Sequence, residues 1–480
     1  MDEATRRTQA VEEEVADVEL GDERLNFRAR RISKRIAAEP GLGFPQALAT
    51  EAELEGFYRF LGNEKVTPQA ILEPHVQATV GRAEEHRTVL VVHDTTEFRF
   101  GGRGREGLGI VTRAGNAFFG HFSLAVSADG HRDPLGVLAT KAWARGGGPS
   151  PTKSRRQNTK SYRETREQPS EQDRWLESVE RAEECVGGRA SLIHVMDSEA
   201  DDYALLWNLQ EAQRRFVLRL CYDRRLDEVA TGALPGEKTC HFVTRSAIRA
   251  VREVNLSRRK RAIAGGRTRR VAPREERLAT LVFTATTVVV RRPAYAPGST
   301  AESMSINVVA VREKDAPKDA EPVDWYLITS EPIETQEQIL AVVDAYRARW
   351  LIEEYFKTIK TGCIFEERQL ETKTTILKAL ALFTPVAWAL LRMRALSRSS
   401  ERSPIATVLS PAQLAVLKKE TGIPLRKNSS AAEAYLAVAR LGGHIKNNGP
   451  PGWQVLGRGY AKLLTLEAGY KIAKSETCDR

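Results

Sequence analysis

Tyr346, Arg349, Glu353 and Lys360 follow one another at intervals of 3, 4 and 7 residues. A helical period of about 3.6 residues stacks such positions along one stripe. The stripe offers a phenol, a guanidinium, a carboxylate and an ammonium, inside a segment (344–360) that also holds Trp350, Leu351, Ile352, Tyr355 and Phe356. Donors of this kind around one acid can grip phosphate oxygens and leave the acid free for a hard metal ion. The plainer reading is a solvated ion-pair face, Arg349 with Glu353 and Glu353 with Lys357.

Two more acids stand in suggestive places. Asp94 comes just after the apolar run Thr88-Val89-Leu90-Val91-Val92, and Asp197 just after Ser191-Leu192-Ile193-His194-Val195-Met196. Each is read as lying at the carboxyl end of a buried strand, where open α/β sheets place their ligand groups. One such Asp is ordinarily a turn or cap residue. Two that converge, with Glu353 beside them, carry charge that burial penalises unless a cation lies among them.

The rest of the chain must position these groups. Its 480 residues carry 73 Lys+Arg against 63 Asp+Glu, a net charge of +10 that favours a polyanionic partner. Five widely spaced cysteines without a Cys-x-x-Cys pair suggest neither a disulfide framework nor a thiolate zinc site, which fits a reducing cytosol. The N-terminus is acidic with no apolar run, so no leader is expected. The most apolar stretch, 379–391, is short, contains Pro385 and reads as a buried helix, so no membrane partner is expected.

Residues 1–73 read as a helical DNA-binding domain. Asp22 is a candidate N-cap, Arg24, Arg28, Arg30, Arg31, Lys34 and Arg35 recur at helical spacing, a second helix spans 45–61, and Thr67-Pro68 opens a third. A solvated basic helix would show the same pattern. Residues 74–396 read as a mixed α/β unit. Strands are expected at 88–92, 118–126, 135–143, 191–196 and 216–219, with helices at 171–185 and 199–213 and a Gly/Pro/Ser/Lys/Arg-rich loop over 145–169. A β-rich insertion occupies about 225–332. Val243, Val251, Val254 and the runs 280–290 and 306–311 are strand-like, and basic clusters at 258–261 and 267–270 suit nucleic-acid contact or solvated hairpin tips. Residues 397–480 are again helical, with an Ala-rich helix at 431–441 stopped by Gly442-Gly443.

Taken together, these residues resemble the bacterial cut-and-paste DDE transposases of the insertion-sequence-four family. The family pattern Tyr, two residues, Arg, three, Glu, six, Lys matches Tyr346, Arg349, Glu353 and Lys360 without a gap. Further matching stretches are Asp94-Thr95-Thr96, Asp197-Ser198-Glu199-Ala200-Asp201, Arg215-Phe216-Val217-Leu218-Arg219 and Trp325-Tyr326-Leu327-Ile328-Thr329-Ser330-Glu331-Pro332. Leu20-Gly21-Asp22, Tyr58-Arg59-Phe60 and Ala439-Arg440-Leu441-Gly442-Gly443 extend the likeness, in the same order, over nearly the whole chain. Ser198 departs from it, standing where the family usually has Arg.

The resemblance implies a ribonuclease H-like catalytic core interrupted by the β-rich insertion, with helical domains at both ends. Asp94, Asp197 and Glu353 would be catalytic and would hold two Mg²⁺ ions, with Mn²⁺ able to substitute. Arg219, Tyr346, Arg349 and Lys360 would bind DNA phosphates, Trp325 would stack a flipped base, and Arg24, Arg28 and Arg31 would contact the transposon ends. The expected partners are double-stranded DNA, as transposon ends and as target, and a second copy of the chain through the C-terminal helices. The expected location is the bacterial cytoplasm, at the nucleoid when active. Two alternatives are a ribonuclease H-like structure-specific endonuclease without strand transfer, and a catalytically silent DNA-binding repressor.

Overall fold

The computed structural model describes residues 14–38, 40–48, 50–102, 104–111, 114–144, 172–257, 274–317, 320–398, 404–407, 409–445 and 451–478. The basic clusters at 258–261 and 267–270 and the loop over 145–169 lie outside the described residues. Asp22 opens α1 (Glu23–Ala38), its carboxylate accepting the Arg24 N–H at 2.8 Å in the manner of an N-cap. The helix expected over 45–61 is two, α2 (Phe44–Ala47) and α3 (Glu51–Gly62). Thr50 leaves helical geometry between them to cap α3 through the Glu53 N–H. Thr67 caps α4 (Pro68–Glu84) in the same way.

A 10-stranded mixed sheet follows. Its strands are β1 (Thr88–Arg99), β2 (Gly109–Val111), β3 (Ala114–Ser127), β4 (Pro134–Trp143), β5 (Ser191–Met196), β6 (Arg215–Arg219), β7 (Ile248–Leu256), β8 (Arg277–Arg291), β9 (Ser303–Lys314) and β10 (Asp324–Thr329). The order is β2-β3-β1-β5-β6-β10-β9-β8-β7, with β4 paired to β3. β1, β5 and β6 run parallel, and the other neighbours antiparallel. Asp94 does not end its strand as the sequence suggested. β3 goes on pairing β1 to Arg99↔Ala117 after β5 has stopped at Val92↔Val195. The β-rich stretch after residue 225 extends this same sheet, β9 pairing β10 from Asp324↔Arg312 to Thr329↔Asn307.

Helices α5 (Asp173–Val186), α6 (Tyr203–Glu211), α7 (Glu228–Thr231) and α8 (Thr239–Arg245) connect the strands. The helix expected over 199–213 thus starts late, because Asp202 caps α6 after a 3₁₀ turn, Ser198–Ala200. Val243, read as strand, is buried from α8. Its β-branched side chain fits a covered position of either kind.

The signature segment is not one continuous helix. A capping box between Thr335 and Gln338 opens α9 (Gln336–Ala348), which gives way at Arg349 to α10 (Trp350–Lys357) and then to a π turn, Thr358–Gly362. At the junction the Arg349 N–H donates to the Tyr346 carbonyl at 3.0 Å, an i→i−3 bond that tightens the turn.

The long α11 (Lys373–Arg398) exceeds the apolar run read from sequence. Its Lys373–Arg392 portion is long and apolar enough to cross a membrane, yet 78 % of that window is buried inside the protein. α12 (Pro411–Thr421), α13 (Ala431–Leu441) and α14 (Trp453–Cys478) follow. α13 and α14 cross with their backbones touching: a Cβ at Gly459 would lie 1.9 Å from the Val438 carbonyl oxygen, and one at Gly442 2.0 Å from that of Val455. A single apolar cluster runs from Val18 through Val91 and Leu382 to Leu463, so the helices from both ends of the chain pack onto the sheet.

Candidate active site and DNA-binding surface

The parallel strands bring the acids together. Asp94 and Asp197 stand two residues beyond the last β1–β5 pair, Val92↔Val195, and Arg219 is the next residue after the β5–β6 pair Met196↔Leu218. Asp197 also turns the chain, its carboxylate accepting the Glu199 N–H at 2.8 Å to cap the 3₁₀ turn. Glu353 arrives from α10, and Arg349 at the α9–α10 junction clasps two of the three acids. Its Nη1 donates to Asp94 Oδ2 at 2.8 Å and its Nη2 to Glu353 Oε1 at 2.5 Å.

One guanidinium does not balance this site. Burial pushes the Asp94 carboxyl up to about 7; the Asp197 charge, and less strongly that of Glu353, act in the same direction against Arg349. Tyr346, on α9, lies close to Arg219 and Arg349. Burial raises its phenol, with Asp197 contributing, while Arg349 and Arg219 oppose the rise. Trp325, half-buried on β10, meets the Tyr346 ring edge-on with centroids 5.8 Å apart. The sheet therefore gathers Asp94, Asp197, Glu353, Arg349, Tyr346, Arg219 and Trp325. Lys360 stands apart, because the π turn carries it further along β1, where it donates to the Glu97 carbonyl.

Among the described residues, no three His, Cys, Asp or Glu side chains form a ready metal-binding group. The donor chemistry nevertheless fits a hard divalent cation. All three side chains are carboxylates, and the charges of Asp197 and Glu353 add to the burial that lifts Asp94.

Beneath the site, on the other face of β1, buried histidines tie the strands together. His93 Nε2 meets His194 Nδ1 at 2.9 Å, His93 Nδ1 meets Ser123 Oγ at 3.0 Å, and His194 Nε2 meets Glu183 at 3.1 Å. Burial lowers the pKa of His93 and His194, which keeps both rings neutral.

Two neighbours escaped the sequence reading. Arg174 of α5 joins the two acid-bearing segments, donating to Thr95 Oγ1 at 3.1 Å and to Glu199 at 3.0 Å. No local spacing marks it. Trp350, to which the sequence reading gave no role, is 53 % exposed, with Lys357 Nζ 4.8 Å from its ring centroid. Its adjacency to Arg349 was the available signal.

The N-terminal arginines lie elsewhere, along a groove of about 660 Å³ between α1 and α3. Arg24 is the most open, paired only locally with Asp22 at 3.1 Å. Arg28 lies against Gly56, donating to its carbonyl at 3.3 Å, and Arg31 donates to Glu53 at 2.7 Å. Phe27 projects into the same groove, 60 % exposed.

Residues 7–66 match the family model described as Transposase DNA-binding. The chain therefore carries a transposase DNA-binding region, which includes α1, α2, α3 and the arginine-lined groove, and DNA is its partner.

Proposed function

We propose that this chain is a DNA transposase with a ribonuclease H-like core, similar to the insertion-sequence-four enzymes. It would excise an element and join its 3′ ends to target DNA. One observation carries the reading: Asp94 of β1 and Glu353 of α10 meet on Arg349, and the charge of Asp197, just after β5, acts on Asp94, in a chain whose residues 7–66 match a transposase DNA-binding model.

Asp94, Asp197 and Glu353 would hold two Mg²⁺ ions, or Mn²⁺ in their place. Bound there, such ions supply activation of water or of a DNA 3′-hydroxyl and stabilisation of the leaving 3′-oxygen. Arg349, Tyr346 and Arg219 offer donors to the phosphates on either side of the scissile bond, with Lys360 reaching the strand further along β1. Trp325 presents an indole face for a base displaced from the stack when the strand folds into a hairpin.

Water would nick one strand, the freed 3′-hydroxyl would attack the other to close a hairpin, a second water would reopen it, and strand transfer would follow. A second copy of the chain, engaged through the C-terminal helices, would pair the two ends, and the work would take place in the cytoplasm.

The experiment is an end-cleavage assay. Duplexes carrying the DNA that flanks the coding sequence are incubated with protein and Mg²⁺, and hairpinned ends are expected. In Trp325→Ala, hairpin closure is expected to slow by about tenfold or more relative to the first nick, since base–aromatic stacking contributes on the order of 1–3 kcal/mol. Nicking without hairpins or joined products would favour the endonuclease, and binding without any cleavage would favour the repressor.

A further inference from the structure

Away from the acids, three arginines from distant parts of the chain close on a single carboxylate. Arg252 of β7 donates to both oxygens of Asp344, at 2.8 and 2.9 Å. Arg347, one turn along α9, reaches Oδ1 at 3.1 Å, and Arg132 of the β3–β4 turn approaches the same oxygen at 3.7 Å. β3 and β7 lie near opposite ends of the strand order, so this meeting requires the sheet to wrap α9. Arg132 is held there by a left-handed backbone, φ 58°, which a non-glycine residue adopts at some cost.

One acid cannot neutralise three guanidiniums. The cluster keeps a surplus of two positive charges, and each guanidinium carries five N–H donors, most of which Asp344 cannot accept. Crowding shows at Arg132, whose pKa is lowered by burial and then by Arg347, with Asp344 opposing and Arg252 adding to the drop. The groups facing Arg132 are thus two like charges and one acid that Arg252 already holds in both oxygens. Planar guanidinium forks suit the oxygens of a phosphodiester.

We infer that Arg132, Arg252 and Arg347 form a second DNA-backbone site, binding phosphates of a double helix that crosses the junction of β7, α9 and the β3–β4 turn. Asp344 organises the forks in the absence of DNA. The inference rests on the reading of the chain as a DNA-binding protein, and it adds a surface outside both the acid site and the α1–α3 groove.

The test measures affinity of the full chain for a fluorescent 30-bp duplex of arbitrary sequence across a salt series. Arg132→Gln/Arg347→Gln leaves the Arg252–Asp344 pair intact. It is expected to bind on the order of tenfold more weakly near 0.15 M salt, with the slope of log K against log salt reduced by about two. Asp344→Asn is expected to bind more tightly, with a steeper slope. A double variant with wild-type affinity and slope would overturn the inference, as would one that only melts earlier, and so would weaker binding by Asp344→Asn. Failure of the wild-type chain to bind duplex would overturn the DNA reading itself.

Discussion

Within ten residues of one helical segment, the molecule builds two charge clusters of opposite sign. At Asp344 one carboxylate is surrounded by Arg132, Arg252 and Arg347; at Arg349 one guanidinium stands among Asp94, Glu353 and, close by, Asp197. The surroundings decide what each surplus does. Asp344 is partly open to water, and its arginines hold its pKa below the ordinary carboxylate value against the burial that would raise it. Asp94 sits deeper among like charges, and its carboxyl is lifted to about 7. Each imbalance calls for a ligand of the opposite sign. A buried acid surplus suits compact cations, and a half-open guanidinium surplus suits phosphates.

The largest effect that would break this contrast comes from the acids. Asn at Asp94 or Asp197, or Gln at Glu353, is expected to reduce strand cleavage by on the order of a thousandfold or more, since metal-centred charge stabilisation is worth several kcal/mol. Duplex affinity should stay close to wild type, because the phosphate donors remain. An Asp197→Asn protein that cleaves normally would remove that residue from the site and leave Arg349 in an ordinary ion pair.

The sequence showed this site better than the structure that holds it. The four-residue pattern in 346–360 drew attention to Tyr346, Arg349 and Glu353, which the structure brings together, since spacing survives small changes in helix geometry. It did not anticipate that Lys360 stands apart from these three, because neither the i→i−3 tightening at Arg349 nor the π turn at Thr358–Gly362 can be read from residue types. Strand β5 was legible to the residue, being an apolar run cut off by Asp197. The polar half of β1 was not, since its pairing depends on β3, which lies beyond the intervening β2 in sequence. The role of Gly442-Gly443 as a stop was visible; the backbone crossing with Gly459 that also requires Gly442 was not. The cluster at Asp344 left no sequence signal, because residues 132, 252 and 344 are joined only by the wrapping of the sheet.

The two clusters should also titrate in opposite senses. The folded state holds the Asp94 proton up to about pH 7, whereas the unfolded chain releases it near the ordinary value of 3.8. Stability is therefore unaffected below that value, falls as pH rises between the two, and levels off above about 7. The full difference is about 4 kcal/mol at most. Asp344 has a lowered value, so its contribution is present above the ordinary carboxylate range and is lost as pH falls through the folded value. Melting curves with a chelator present check this: Asp94→Asn should flatten the decline between about pH 5 and 7, and Asp344→Asn should leave it unchanged. A wild-type curve that rises over that interval would show that Arg349 alone balances the acids.

The smallest effect concerns a third set of arginines, whose charge is largely met. In the α1–α3 groove Arg31 and Arg35 both turn to Glu53, an acid only 11 % exposed, while Arg24 is almost fully open. Here internal pairing meets most of the charge, whereas the cluster at Asp344 keeps a surplus. Glu53→Gln removes the competing charge and frees two guanidiniums on the surface of the matched transposase region. Because the arginine ends of these pairs are open to water, where an ion pair is worth at most about 1 kcal/mol, duplex affinity should rise by no more than about fivefold, with a slightly steeper salt dependence. Thr50 caps α3 through the Glu53 N–H, which the substitution keeps, so the helix start should persist. Unchanged affinity and slope would mean that DNA passes outside this groove and that its arginines serve only to hold α1 against α3.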